Sequence, residues 1–123
     1  MMKYGIVIVS HVSDIAIGVQ RLIDQVAKDV SVTTAGGLEN DGVGTSIERI
    51  QTAFEQNTGD ELLAFYDLGS AKMNLEMAIE MSDKKVHLYD TALVESAYTA
   101  AALLQVNTSL EDVEKQINEL KIK

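Results

Sequence analysis

Four short runs of apolar and β-branched residues, each followed by apolar residues at helical spacing, constrain this chain more than any other feature. "YGIVIV" from Tyr4 to Val9 is a continuous run, as in a strand covered on both faces. Ile15, Val19, Leu22, Ile23 and Val26 then recur at helical spacing, with Ser13 or Asp14 placed to cap the start. "VSVTTA" (30–35) reads as a second strand, and Ile47, Ile50 and Phe54 mark a second helix ending near Asn57. "ELLAFYD" is a third strand closing on Asp67. Ala71, Leu75, Ala78 and Ile79 share one face of a third helix, with Met73, Met77 and Met81 beside them. "KVHLYD" is a fourth strand, and residues 91–105 form an alanine-rich fourth helix. Ser109, with Asp112 three residues on, makes a form of capping box for a last helix striped by Leu110, Val113, Ile117 and Leu120.

This rhythm builds parallel βαβ units with right-handed crossovers. The expected fold is a single α/β domain over residues 1–123. Its mostly parallel central sheet should hold four or five strands, with helices on both faces. The length suffices for one core, and no linker, repeat or low-complexity segment divides it. No apolar run reaches the roughly 20 residues that span a bilayer, and "MMKYGIVIVS" lacks the pattern of a secretory signal. A cytoplasmic protein is expected.

In such sheets the functional groups gather where strands end and helices begin. The strand exits here are Ser10-His11, Gly36-Gly37, Asp67 through Ser70, and Asp90-Thr91, which should converge at one edge. The chain has two histidines and no cysteine, so thiol chemistry is excluded. His87 lies inside the fourth strand and reads as a packed core residue, which leaves too few ligands for zinc; no metal and no cofactor are expected. No Gly-x-Ser-x-Gly elbow offers a hydrolase nucleophile. The net charge of −9 argues against nucleic acid; it suits a basic protein partner, and equally a solvated surface.

Nucleophilic attack on phosphorus fits His11 better. It stands just before the amino end of a helix, where free N–H groups and the helix dipole favour an anion. Gly36 and Gly37 let backbone amides approach closely. Asp67 can accept a hydrogen bond from one ring nitrogen, present the other to phosphorus, and support the charged ring. Ser13, Gly69 and Ser70 complete the expected phosphate-binding set. Singly, each residue also has a structural reading. A histidine at a strand end can simply bond its loop, Asp67 can serve a turn or cap, and "GG" can be a tight turn.

The motifs "GIVIVSHVSDIAIGV", "TTAGGLENDGVGTS", "FYDLGSA" and "ALVESAYTAA" together cover nearly the whole chain. They resemble the mannose-type IIA domains of the bacterial phosphoenolpyruvate-dependent phosphotransferase system. "AGG…DG.GTS" and "D.GSA" favour the branch of phosphotransfer subunits of dihydroxyacetone kinase. The resemblance implies that His11 accepts a phosphoryl group from the carrier protein HPr. It implies transfer onward to ADP held on the nucleotide-binding subunit of the kinase, and so to dihydroxyacetone. It also implies a homodimer, and carriers supplied as separate proteins. A sugar-transport IIA domain is the nearest alternative. A receiver-like domain phosphorylated on Asp67 is more remote, because Ser10-His11 stands where receivers keep a magnesium-binding acidic pair. A flavin binder on a similar sheet lacks its phosphate cradle here. The role of the loop from Asp41 to Ser46 is left open by the sequence.

Overall fold

The computed structural model describes residues 2–123. Strands β1 (Tyr4–Ser10), β2 (Val32–Gly36), β3 (Glu61–Tyr66) and β4 (Lys85–Tyr89) form one sheet in the order β2-β1-β3-β4. Every pairing is parallel. Helices α1 (Ser13–Asp24), α2 (Ile47–Gln56), α3 (Gly69–Glu80), α4 (Leu93–Gln105) and α5 (Leu110–Ile117) follow in chain order. The expected α/β architecture is thus observed with four strands. Besides the three parallel pairings there is a single antiparallel bridge, between Thr91 and Lys121.

The central strands alternate their side chains between two cores, as the pleat requires. Ile6, Ile8, Leu63 and Phe65 pack with Ala16, Val19 and Ile23 of α1, the alanines of α4, and Val113 and Ile117 of α5. Val7, Val9, Leu62, Ala64 and Tyr66 pack with Ile50, Ala53 and Phe54 of α2 and with Ala71, Leu75 and Ala78 of α3. Two-sided burial explains why β1 and β3 read as unbroken apolar runs.

The first helix departs from its expected stripe. Ala16, Val19 and Ile23 are buried, whereas Ile15 and Leu22 are each more than two-fifths exposed. The buried face of α1 is thus Ala16 with Val19 and Ile23, and two of the large apolar residues expected on it point outward. Neither Ser13 nor Asp14 caps the helix: the N-cap is Val12, without a side-chain bond, and Ser13 is the first helical residue. The second strand begins at Val32 rather than at Val30. The capping of α5 is as expected, with the Ser109 hydroxyl accepting the amide of Asp112.

The strand order places a topological switch point between β1 and β3, because the chain turns to opposite faces of the sheet after leaving them. Residues that follow these two strands flank the resulting crevice. They are His11 and Asp67.

Candidate functional site

Beyond the last rung of the β1–β3 ladder, where Val9 pairs with Tyr66, the amide of Asp67 donates to the carbonyl of Val9. The Asp67 carboxylate therefore turns toward the exit of β1. Its Oδ2 accepts the Ser10 hydroxyl at 2.8 Å and the His11 amide at 3.0 Å. Its Oδ1 accepts the Leu68 amide at 2.7 Å and lies 2.8 Å from Nδ1 of the His11 ring. Burial pushes the Asp67 carboxyl up, but the donors from His11, Ser10 and Leu68 outweigh it and hold it below its ordinary value. An ionised carboxylate can only accept, so Nδ1 of His11 carries the proton and donates. Nε2 is then the lone-pair nitrogen, and the Ser70 hydroxyl, 2.6 Å away, donates to it.

Two helices begin at this ring. The amide of Val12 is taken by the Ser10 hydroxyl. Those of Ser13 and Asp14 in α1, and of Gly69 and Ser70 in α3, have no acceptor among the described residues. Both helices are 12 residues long and begin beside His11, so the positive ends of their dipoles lie near it. The His11 side chain remains 17% exposed.

The glycines act on the frame of the site. A Cβ on Gly36 would stand 2.7 Å from Cα of Ser13, so glycine there lets α1 seat against β2. Gly37 has φ +68°, in the left-handed region, and donates its amide to the carbonyl of Ser10. A Cβ on it would crowd the Ser13 amide nitrogen at 3.2 Å. These two glycines hold the exit of β1 and keep the first amide of α1 uncovered; the Gly37 amide itself is already engaged. Around Gly69 there is open space. The 41–46 loop is tied back by the Gly44 amide, which donates to the carbonyl of His11 at 2.8 Å.

Of the predicted residues, His11, Asp67 and Ser70 meet directly, and Ser13, Gly36, Gly37 and Gly69 surround them. Asp90 and Thr91 do not reach His11. Asp90 accepts from the Tyr66 hydroxyl and from Lys72, and Thr91 donates to Ser96. His87 pairs with Glu61 along the sheet, 2.7 Å from Nε2 to Oε1. The sequence places Ser10 at the converging strand exits but assigns it no role, although its hydroxyl is fully buried and joins Asp67 to the start of α1. The signal available was a lone hydroxyl ending an apolar strand. Among the described residues no cluster of potential metal ligands occurs, and no helix is long and apolar enough to cross a membrane.

Comparison with known proteins gives this geometry its context. The family model described as the fructose IIA component of the phosphotransferase system (EIIA-man) matches residues 5–114. The chain is 49% identical over 121 residues, covering 98% of both chains, to DhaM of Lactococcus lactis subsp. lactis, the phosphotransferase subunit of a PTS-dependent dihydroxyacetone kinase. It is 42% identical over 120 residues to a DhaM of Listeria innocua, the phosphoryl donor subunit of a PEP-dependent dihydroxyacetone kinase, covering 98% of this chain and 97% of the relative. A crystal structure of a protein of unknown function superposes with a TM-score of 0.86 at 28% identity, covering 100% of this chain and 98% of that one. The EIIA component of Streptococcus agalactiae superposes with a TM-score of 0.66 over 94% of this chain and 90% of its own; at 18% identity it speaks for the fold alone. The chain belongs to the mannose-type IIA family of the bacterial phosphotransferase system, in the branch of the dihydroxyacetone kinase phosphotransfer subunits.

Proposed function

We propose that this chain is the phosphoryl carrier of a dihydroxyacetone kinase, loaded on Nε2 of His11 by HPr and discharged to ADP on the nucleotide-binding subunit. The observation that carries the reading is the His11 ring, held at Nδ1 by Asp67 and open at Nε2 between two helix N-termini. In the first step the Nε2 lone pair attacks phosphorus, and the electron pair of the donor's P–N bond returns to the donor nitrogen. The ring becomes positively charged while Nδ1–H stays bonded to Asp67, which stabilises that charge. The free amides of Ser13, Asp14, Gly69 and Ser70 and the Ser70 hydroxyl are available to the phosphoryl oxygens. In the second step a β-phosphate oxygen of ADP attacks, and the P–N pair returns to Nε2. His11 is thereby restored, so the chain acts as a carrier.

The receiver-like alternative meets a specific obstacle. All four donors around Asp67 point into its two oxygens, which leaves neither free to attack phosphorus. A homodimer belongs to the same reading, supported by the exposed Met73 and Met77 on α3 and Met81 at its C-cap. Reconstitution tests the proposal. Phosphoenolpyruvate, enzyme I, HPr, this chain and the two other kinase subunits should together form dihydroxyacetone phosphate. No product, alongside efficient transfer to a sugar-specific IIB domain, would favour the sugar-transport alternative.

A further inference from the structure

The segment after α5 returns to the site. Lys121 bridges to Thr91, and the amides of Ile122 and Lys123 donate to the carbonyl of Asp90 at 3.2 and 3.4 Å. This pairing delivers the Lys123 side chain to the turn between β3 and α3. Its Nζ donates to the carbonyl of Tyr66 at 2.6 Å and to that of Asp67 at 2.9 Å, and lies 4.3 Å from the centre of the Tyr66 ring. The Tyr66 hydroxyl is in turn fixed by Asp90, which also accepts from Lys72 at 3.0 Å. Burial disfavours the charged form of Lys123, and attraction to Asp67 and Asp90 opposes that effect.

The two carbonyls gripped belong to Asp67 and to the residue before it. Fixing them sets the backbone from which the Asp67 carboxylate reaches His11. No other lysine or arginine among the described residues bonds to this turn. We propose that Lys123 is a positioning residue: its grip on the carbonyls of Tyr66 and Asp67 keeps the carboxylate on Nδ1 of His11 and so keeps Nε2 free of its proton. The inference rests on the phosphohistidine reading above only for its kinetic consequence; the proton's place on the ring is observable without any phosphate.

The full chain and its Lys123→Met, Lys123→Arg and Lys121→Met variants decide the matter. Long-range ¹H–¹⁵N spectra of the unphosphorylated proteins report which nitrogen of neutral His11 holds the proton, and quench-flow reports the labelling rate from phosphorylated HPr. Lys123→Met should show a reduced Nδ1–H population and about tenfold slower labelling, within the roughly 100-fold that a displacement of about 1 Å costs at a reacting group. Lys123→Arg, which keeps charge and donors, should recover the native rate to within about threefold. Lys121→Met, which removes a charge from the same segment without touching the turn, should match the native protein in both readouts. A Lys123→Met protein with the native proton distribution overturns the proposal, whether or not its rate falls. So does a folded Lys123→Arg protein about tenfold slower than the native chain with a reduced Nδ1–H population, a comparison that stands should the methionine variant fail to fold. Should the native chain itself accept no label, the phosphohistidine reading fails, and the spectra alone still decide the role of Lys123.

Discussion

At the residue scale the site is one imidazole with its two nitrogens assigned different tasks. Asp67 does the assigning, so its removal should harm transfer without harming the nucleophile itself. Asp67→Ala should be labelled by HPr more slowly, on the order of 100-fold, since loss of the correct tautomer costs catalytic histidines that much or more. His11→Ala should accept no label at all. Quench-flow separates the two, and native rates in Asp67→Ala would reduce the aspartate to a turn residue. The same carboxylate has a signature in stability. Its folded pKa lies below the ordinary 3.8, so its contribution is fully present above about pH 4 and is lost as pH falls through the lowered value. Urea unfolding of Asp67→Asn should show a deficit at pH 7 that shrinks toward pH 3. A deficit that grows on acidification would contradict the hydrogen-bonded, ionised state.

At the scale of elements, the glycines and the sheet edge separate structural from chemical roles. Gly36→Ala places a methyl 2.7 Å from backbone of the first turn of α1, which cannot yield as a flexible side chain would. The expected cost is about 1–3 kcal/mol, as for overpacked cores, with slower labelling because α1 carries two of the free amides. Urea midpoints and labelling rates measured on one preparation check both effects. His87→Ala should instead lose only stability, roughly 1 kcal/mol, because its partner is Glu61 on β3 and it has no contact with His11. A folded His87→Ala protein that fails to transfer would refute a mechanism with one histidine. Elements were legible in the sequence where one kind of residue dominates a run, as in β1, β3 and the capped α5. The buried face of α1 was legible only in part: Val19 and Ile23 are buried as expected, but Ala16 packs with them while Ile15 and Leu22 are exposed.

For the whole molecule, the decisive property is topological. The order β2-β1-β3-β4 brings the ends of β1 and β3 together, although His11 and Asp67 are 56 residues apart. That convergence was legible, since alternating strands and helices allow few arrangements and each puts strand exits on one edge. The exits of the edge strand β4 were wrongly included in it: Asp90 stands one strand away and serves Tyr66 and Lys72 instead. The grip of Lys123 had no sequence signal, because a lysine in an irregular segment belongs to no periodicity and its partners are backbone carbonyls. A net charge of −9 on a chain of this size also suits recognition of a basic carrier, and labelling by HPr should slow as salt is raised. The account stands or falls on where the phosphate goes. Incubation with phosphoenolpyruvate, enzyme I and HPr, followed by mass spectrometric mapping at alkaline pH, should place one phosphoryl group on His11, stable to base and lost in acid. A base-labile phosphate on Asp67, or a phosphate on His87, would contradict it.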